Sequence, residues 1–82
     1  MNMTGKRDTT VEDALRAKAF DKLEIKRINN ECYLVVTIVG ETRVLTDKKG
    51  KHKTFRHVWQ LRNFLREKFD VVVESIPVET YR

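Results

Sequence analysis

The sequence predicts a single small α+β domain with the element order α-β-β-β-α-β, in which an antiparallel three-strand meander and a fourth strand are covered on one face by two helices. Three observations predict this class. The length of 82 residues leaves room for one hydrophobic core. Apolar and polar residues alternate in the middle of the chain, and a helical period follows from 57 to 69. A crossover helix after a meander places the last strand parallel to the first or third strand.

The first helix is predicted from a capping signal close to the N-terminus. Thr9 is followed three residues later by Glu12, the spacing of a capping box. The apolar residues that follow share one helical face: Val11, Ala14 and Leu15. The helix is expected to end near Phe20. Residues 1–8 are polar and without periodicity, and we expect them to be a flexible lead-in to a domain that spans residues 9–78.

The first strand and its turn are predicted from alternation. Leu23 and Ile25 alternate with charged residues, the period of a half-buried strand. Asn29 and Asn30 come next, and asparagine tolerates the positive φ that tight turns require. The pair therefore predicts a hairpin turn.

A second and a third strand follow. Residues 31–39 are rich in β-branched and aromatic side chains, which predicts a central strand, and Cys32 at its start is expected to be a buried core thiol. Gly40 and Glu41 predict a turn, after which residues 42–46 return as the third strand.

The second helix is the strongest prediction, and it follows a charged loop at residues 47–53. Steps of 100° from 57 to 69 put four apolar residues in one stripe: Val58, Leu61, Leu65 and Phe69. Three polar residues lie opposite that stripe: Gln60, Asn63 and Glu67. Asp70 is expected to close the helix.

The fourth strand is predicted at residues 71–76, a compact apolar run, with Pro77 as its end. Residues 79–82 are then left as a C-terminal tail. No internal repeat or low-complexity tract interrupts the sequence.

Several functional classes find no support in the sequence. It contains no glycine-rich phosphate loop, nucleophile elbow or HExxH pattern, so we expect no enzyme and no cofactor. His52 and His57 lack the neighbouring ligands of a metal site. No apolar run approaches a membrane span and the opening residues do not resemble a signal peptide, so a soluble, cytoplasmic protein is expected.

The positive charge is concentrated in one segment. The net charge is +5, yet residues 1–42 balance seven basic with seven acidic side chains. Residues 43–68 hold nine basic and two acidic side chains. Charge segregated in this way is typical of binding to an anionic partner, although a lysine-rich turn that only keeps the protein soluble is the alternative.

The candidate binding residues come from this segment. The loop cations lie at the entry to a helix whose first amides also favour anions. On the helix, Arg62 and Arg66 lie beside Trp59. The indole of Trp59 is predicted either to stack on a base or on a protein partner, or to pack at the edge of the core beneath the aliphatic parts of the arginines. The full candidate set is Lys48, Lys49, Lys51, His52, Lys53, Arg56, Trp59, Arg62 and Arg66.

Two family resemblances accompany this pattern. The order α-β-β-β-α with lysines before the second helix resembles the double-stranded RNA-binding domain, although here the second helix is not alanine-rich and a fourth strand follows. A second resemblance covers about residues 30–70 and is carried by these segments: Tyr33-Leu34-Val35-Val36, Gly40, Thr54-Phe55-Arg56-His57-Val58 and Phe64-Leu65-Arg66. They are similar to small accessory proteins of plasmids and integrative conjugative elements. That resemblance implies a role in a mobile genetic element: regulation, maintenance or inhibition of a host defence such as a CRISPR complex.

Two functional hypotheses remain. The first is a non-enzymatic module that binds DNA or RNA through the basic loop and helix. The second is an accessory factor or inhibitor that docks the same basic face on an acidic protein surface. A homodimer formed through an edge strand is compatible with either hypothesis.

Overall fold

The computed structural model describes residues 10–81, and within them the chain forms two helices and one four-stranded mixed sheet. The elements are α1 (Val11–Ala17), β1 (Lys22–Ile28), β2 (Glu31–Ile38), β3 (Glu41–Val44), α2 (Val58–Phe69) and β4 (Val78–Tyr81). The sheet order is β3-β2-β1-β4, with β1, β2 and β3 antiparallel and β4 parallel to β1. The predicted α+β class, element order and three-strand meander are confirmed.

The cap of α1 lies one residue later than the sequence indicated. The N-cap is Thr10, whose Oγ1 accepts a hydrogen bond from the Asp13 amide at 3.0 Å. The predicted capping residue Thr9 and the predicted lead-in 1–8 lie outside the described residues. Glu12, the supposed partner of that cap, instead forms ion pairs with side chains farther along the chain.

α1 also ends three residues before the predicted Phe20. Lys18 takes a left-handed backbone conformation with φ 57°, and its amide donates to the carbonyls of Ala14 and Leu15. A left-handed residue after the last helical turn satisfies free carbonyl groups and stops the helix. The local backbone therefore sets this boundary, although the apolar pattern continues beyond it.

Two tight turns order the meander. Asn29 and Asn30 have φ values of 49° and 66°, so the predicted hairpin turn is confirmed. The second turn is centred on Val39 and Gly40, with φ values of 48° and 78°, one residue earlier than predicted. A two-residue hairpin loop of type I′ needs positive φ at both positions, which places the β-branched Val39 in an unfavourable conformation.

The core lies between the two helices and one face of the sheet. Its helical members are Leu15 from α1 and Leu61, Leu65 and Phe69 from α2. Its members from the first two strands alternate along the chain: Leu23, Ile25, Cys32, Leu34 and Val36. Alternate strand residues point to the same side of a sheet, so both helices cover one face, as predicted.

The predicted fourth strand at residues 71–76 is wrong. That segment is irregular, and its turn is closed by a hydrogen bond from the Ile76 amide to the Val73 carbonyl at 3.2 Å. Val71, Val73 and Ile76 are nevertheless buried in the core, which explains why the pattern resembled a strand. Pro77 precedes β4 instead of ending it, and residues 79–81 of the supposed tail belong to the sheet.

Candidate nucleic-acid interface

The tip of the charged loop is organised by one carboxylate. Asp47 Oδ1 accepts hydrogen bonds from the amides of Lys49 and Lys51 at 2.8 and 3.1 Å. Gly50 completes the tip with φ 82°, a conformation that favours glycine. With the carboxylate occupied by backbone amides, the exposed side chains of Lys48, Lys49 and Lys51 form no ion pair within residues 10–81.

Adjacent residues at the end of this loop point to opposite sides of the sheet. The ring of His52 lies 5.3 Å from that of Tyr33, whose strand neighbours Cys32 and Leu34 point into the core. Lys53 turns to the helix side, where its ammonium lies 5.1 Å from the centre of the Phe64 ring. The structure therefore separates His52 from the other predicted binding residues.

Four lysines line one groove beside α2, together with Phe64 and the carboxylates of Glu12 and Asp47. Lys68 Nζ lies 5.4 Å from the centre of the Phe64 ring, and Lys53 Nζ lies 5.1 Å from the same centre. Lys48 and Lys49 border the same groove of 660 Å³, which has Leu45 at its floor. We call Lys48, Lys49, Lys53 and Lys68 the lysine flank.

The start of α2 carries a second group of cations. His57 is the N-cap, and its amide donates to Gln60 Oε1 at 3.1 Å. The His57 ring stacks on the Trp59 indole with 9° between the planes and 5.8 Å between the centres. This contact orients the indole, yet 60% of Trp59 remains exposed, so the indole does not close the core.

The arginines of α2 differ in their contacts. Arg62 is half-buried, and its Nε has no hydrogen-bond partner in the part of the chain that the structure describes. Arg66 donates to Asn63 Oδ1 at 3.3 Å and forms an ion pair with Glu74 at 3.5 Å. Arg66 is thus partly neutralised by a carboxylate that the sequence did not associate with it.

Arg27 of β1 joins this group although sequence reasoning missed it. It lines a small depression together with Asn30, Arg56 and His57. The hairpin between β1 and β2 brings it there, because Phe55 pairs with Cys32 in an isolated bridge beside that turn. We call Arg27, Arg56, Arg62 and Arg66, together with Trp59, the arginine flank.

The two flanks lie on opposite sides of α2. Lys68 follows Trp59 by nine residues, or two and a half helical turns, so the two side chains leave the helix in opposite directions. The continuous basic face predicted from the sequence is therefore two surfaces. Between them runs the outward side of the helix with Gln60, Asn63 and Glu67.

Most flank cations lack an acidic partner. Among residues 10–81, Lys68 pairs with Glu12 at 3.9 Å and Arg66 with Glu74, both at the surface. The other six flank cations have no carboxylate within ion-pair distance in that part of the chain: Lys48, Lys49, Lys53, Arg27, Arg56 and Arg62. Both surfaces therefore keep a positive potential that is available to an anionic partner.

Other chemistry is sparse in the described part of the chain. Cys32 is buried, donates to the Phe55 carbonyl at 3.5 Å, and has its pKa raised by burial, as a core thiol should. Residues 10–81 contain no cluster of His, Cys, Asp and Glu that could hold a metal ion. Neither α1 nor α2 has the length and apolar character of a membrane span.

Comparison of the chain with family models, with curated proteins and with solved structures found no match. The resemblances noted from the sequence stay predictions, and the functional argument rests on the two flanks.

Proposed function

We propose that this protein is a non-enzymatic nucleic-acid-binding module that uses the two flanks of α2. The observation that carries the proposal is the set of six cations without an acidic partner, arranged on both sides of one exposed helix. A polyanion with charges at regular spacing satisfies several such cations together and releases its counterions when it binds.

The two flanks offer different contacts to such a ligand. The lysine flank presents flexible ammonium groups at a loop and groove, which suits phosphate oxygens. The arginine flank adds planar guanidinium groups beside an oriented, exposed indole, which suits phosphates, sugars and the faces of bases. Neither flank assembles a nucleophile, a general base and an anion site, so binding is the proposed activity.

A protein partner is the second candidate, and one observation favours it. Trp59, the aromatic residue of the arginine flank, is 60% exposed. Exposed aromatic and aliphatic residues beside arginines are typical of protein interfaces. An inhibitor that presents the arginine flank to an acidic protein, as the resemblance to mobile-element proteins implies, would use this surface.

A fluorescence-anisotropy titration tests the proposal. Labelled duplex DNA, duplex RNA and single strands are titrated with protein at two salt concentrations. We expect micromolar or tighter binding that weakens as salt rises. Failure to bind any of these probes at low salt contradicts the proposal and favours the acidic protein partner.

The variants are chosen so that the fold is retained. Lys48→Glu/Lys49→Glu/Lys51→Glu reverses three exposed loop charges, while Lys53 is spared because it packs over Phe64. We expect this triple variant to lose most of its affinity. Lys22→Gln, at an exposed lysine of β1, is compared with Lys49→Gln as a matched loss of one charge, and only Lys49→Gln should weaken binding.

A further inference from the structure

The outward side of α2 carries a row of side chains that neither flank uses. Gln60, Asn63 and Glu67 follow one another at spacings of three and four residues, so they line one side of the helix. This row, which we call the ridge, faces away from the buried stripe of Leu61 and Leu65. It separates the lysine flank from the arginine flank along the length of α2.

The hydrogen bonds of the ridge leave a defined set of polar groups available. Gln60 Oε1 accepts from the His57 amide, and Asn63 Oδ1 accepts from Arg66 Nη1. With each amide oxygen engaged, the amide nitrogen of each half-buried side chain remains as a donor. Glu67 forms no ion pair with residues 10–81, and its carboxylate is an acceptor. The ridge is therefore two donors followed by an acceptor.

The dimensions of α2 fit a particular groove. Its 12 residues span about 18 Å at 1.5 Å per residue. A helix with its side chains is about 10–12 Å across, and the major groove of B-form DNA is about 12 Å wide. A helix in that groove contacts base edges with its outward side and has a phosphate backbone along each of its two flanking sides. α2 carries cations on both of those sides.

We propose that α2 lies in the major groove of duplex DNA, with the ridge on the base edges and the two flanks on the opposing phosphate backbones. This inference rests on the proposed nucleic-acid function and names its ligand. Amide donors of Gln60 and Asn63 match purine and thymine acceptors, and the Glu67 carboxylate matches the cytosine amino group.

The neighbours of α2 determine which part of it enters the groove. Lys18 Nζ donates to the Phe69 carbonyl at 2.9 Å, and Glu12 pairs with Lys68, so α1 lies beside the C-terminal turn of α2. Gln60 and Asn63 lie nearer the N-terminal end of α2 than that turn. Entry by the first turns of a helix is the usual geometry of readers of the major groove.

Duplex DNA is favoured over RNA for a geometric reason. The major groove of A-form RNA is deep and narrow, and side chains on a helix do not reach its base edges. A single strand would contact one side of α2 and leave the opposite cations without phosphates. The arrangement of charge on both sides of a polar ridge thus selects the B-form duplex.

Selection from a randomised DNA duplex followed by anisotropy tests the inference. We expect wild-type protein to enrich a defined sequence and to bind it at least tenfold more tightly than duplex RNA of the same sequence. Asn63→Ala should reduce the preference for the enriched duplex over a scrambled duplex by roughly tenfold. Glu67→Gln should change which bases are enriched, because an acceptor-only group becomes both donor and acceptor.

A matched control separates base reading from charge. Glu41→Gln removes the same charge as Glu67→Gln at an exposed position that starts β3, outside both flanks, and it should leave the preference unchanged. Gln60 is not varied because it caps α2. Equal affinity for RNA duplex or single strands, or an unaltered preference in both ridge variants, overturns the groove assignment alone. Absence of binding to every probe overturns the proposed function as well.

Discussion

The two flanks of α2 carry four cations each but hold them differently. In the lysine flank, Lys53 and Lys68 both lie over the ring of Phe64, so part of this positive charge also packs against the domain. In the arginine flank, Arg56 is exposed, and Trp59 stacks on His57 while 60% of it remains exposed. The charge of a side chain therefore does not show whether it serves binding or packing. The residues that contact each cation do show this.

The largest effect is expected from a change in the core packing of α2, because that packing positions both flanks. Leu65 is completely buried between α2 and the sheet. Leu65→Ala should lower the free energy of unfolding by about 2–5 kcal/mol through lost burial and a residual cavity. Urea unfolding followed by circular dichroism measures the loss. Glu67→Ala on the exposed side of the same helix should change stability by less than about 0.5 kcal/mol, and a similar loss in both variants would contradict the assigned core face.

The aromatic residues of the two flanks should differ in stability and in binding. Phe64→Ala is expected to cost about 2 kcal/mol, since this half-buried ring contacts Phe55 and Phe69. Trp59→Ala should cost less than about 1 kcal/mol, because most of the indole is exposed. Urea unfolding measures both stabilities. Nucleic-acid affinity should fall in Trp59→Ala, and the comparison of the flanks fails if the two variants are equally unstable.

Trp59 is the only tryptophan of the chain and therefore reports on the arginine flank by itself. Saturating nucleic acid should change its fluorescence, because the indole lies in the proposed interface. Lys49→Gln should weaken the titration but leave the fluorescence at saturation unchanged, since it alters only the lysine flank. Unchanged emission from wild-type protein with bound nucleic acid would remove the arginine flank from the interface.

The salt dependence of nucleic-acid affinity tests whether each flank contacts phosphates. If both contact phosphates, Lys49→Gln and Arg56→Gln should each reduce the slope of log K against log salt by about 0.9. Affinity measured at four or more salt concentrations gives the slopes. A slope that changes in one variant only would assign the phosphate contacts to that flank.

The smallest expected effect concerns the junction between β1 and β4, where Lys26 and Glu79 alternate with Arg27 and therefore point to the face of the sheet opposite α2. Lys26 forms an ion pair and hydrogen bond with Glu79, and its Nζ lies 3.1 Å from the Tyr81 hydroxyl. The hydrogen bond from Lys26 lowers the pKa of Glu79 below its ordinary value of 4.5 and, in turn, raises the pKa of Lys26. The stabilisation from Glu79 is therefore present above about pH 4.5 and is lost as the pH falls through the lowered pKa.

Thermal unfolding of wild-type protein and Glu79→Gln at pH 7 and pH 3 measures this contribution. The melting temperatures should differ slightly at pH 7 and converge as the pH falls through the lowered pKa of Glu79. Glu31→Gln, at an exposed carboxylate of β2, should show no such convergence. If the difference in melting temperature between wild-type protein and Glu79→Gln does not depend on pH, the junction is not a source of acid sensitivity. The nucleic-acid affinity of this variant should equal that of wild-type protein.

Local chemistry explains which elements were predicted correctly. The stripe of α2 is amphipathic at the helical period, and Asn29-Asn30 supplies two residues that accept positive φ, so both were found from neighbours in sequence. Residues 71–76 were assigned wrongly because buried side chains in an irregular segment produce the same apolar run as a strand. Hydrogen bonding to β1 distinguishes the two cases, and that partner is more than 40 residues away.

The candidate site shows the same division. The sequence identified the loop lysines and the α2 arginines, but it grouped His52 with them and omitted Arg27 and Lys68. Alternation across the sheet carries His52 to the face opposite α2, and the β1–β2 hairpin brings Arg27 beside Arg56. Neither relation is visible as spacing along the chain.

By itself the sequence determined that this chain forms one α+β domain, where its principal helix lies and which segment holds the excess positive charge, because periodicity and composition are local properties. Only the tertiary structure decided that this charge forms two flanks separated by the ridge of Gln60, Asn63 and Glu67, and that β4 begins after Pro77. Those features depend on how α2 is rotated against the sheet and on which strand edge accepts the last residues, and both are determined by packing between distant parts of the chain.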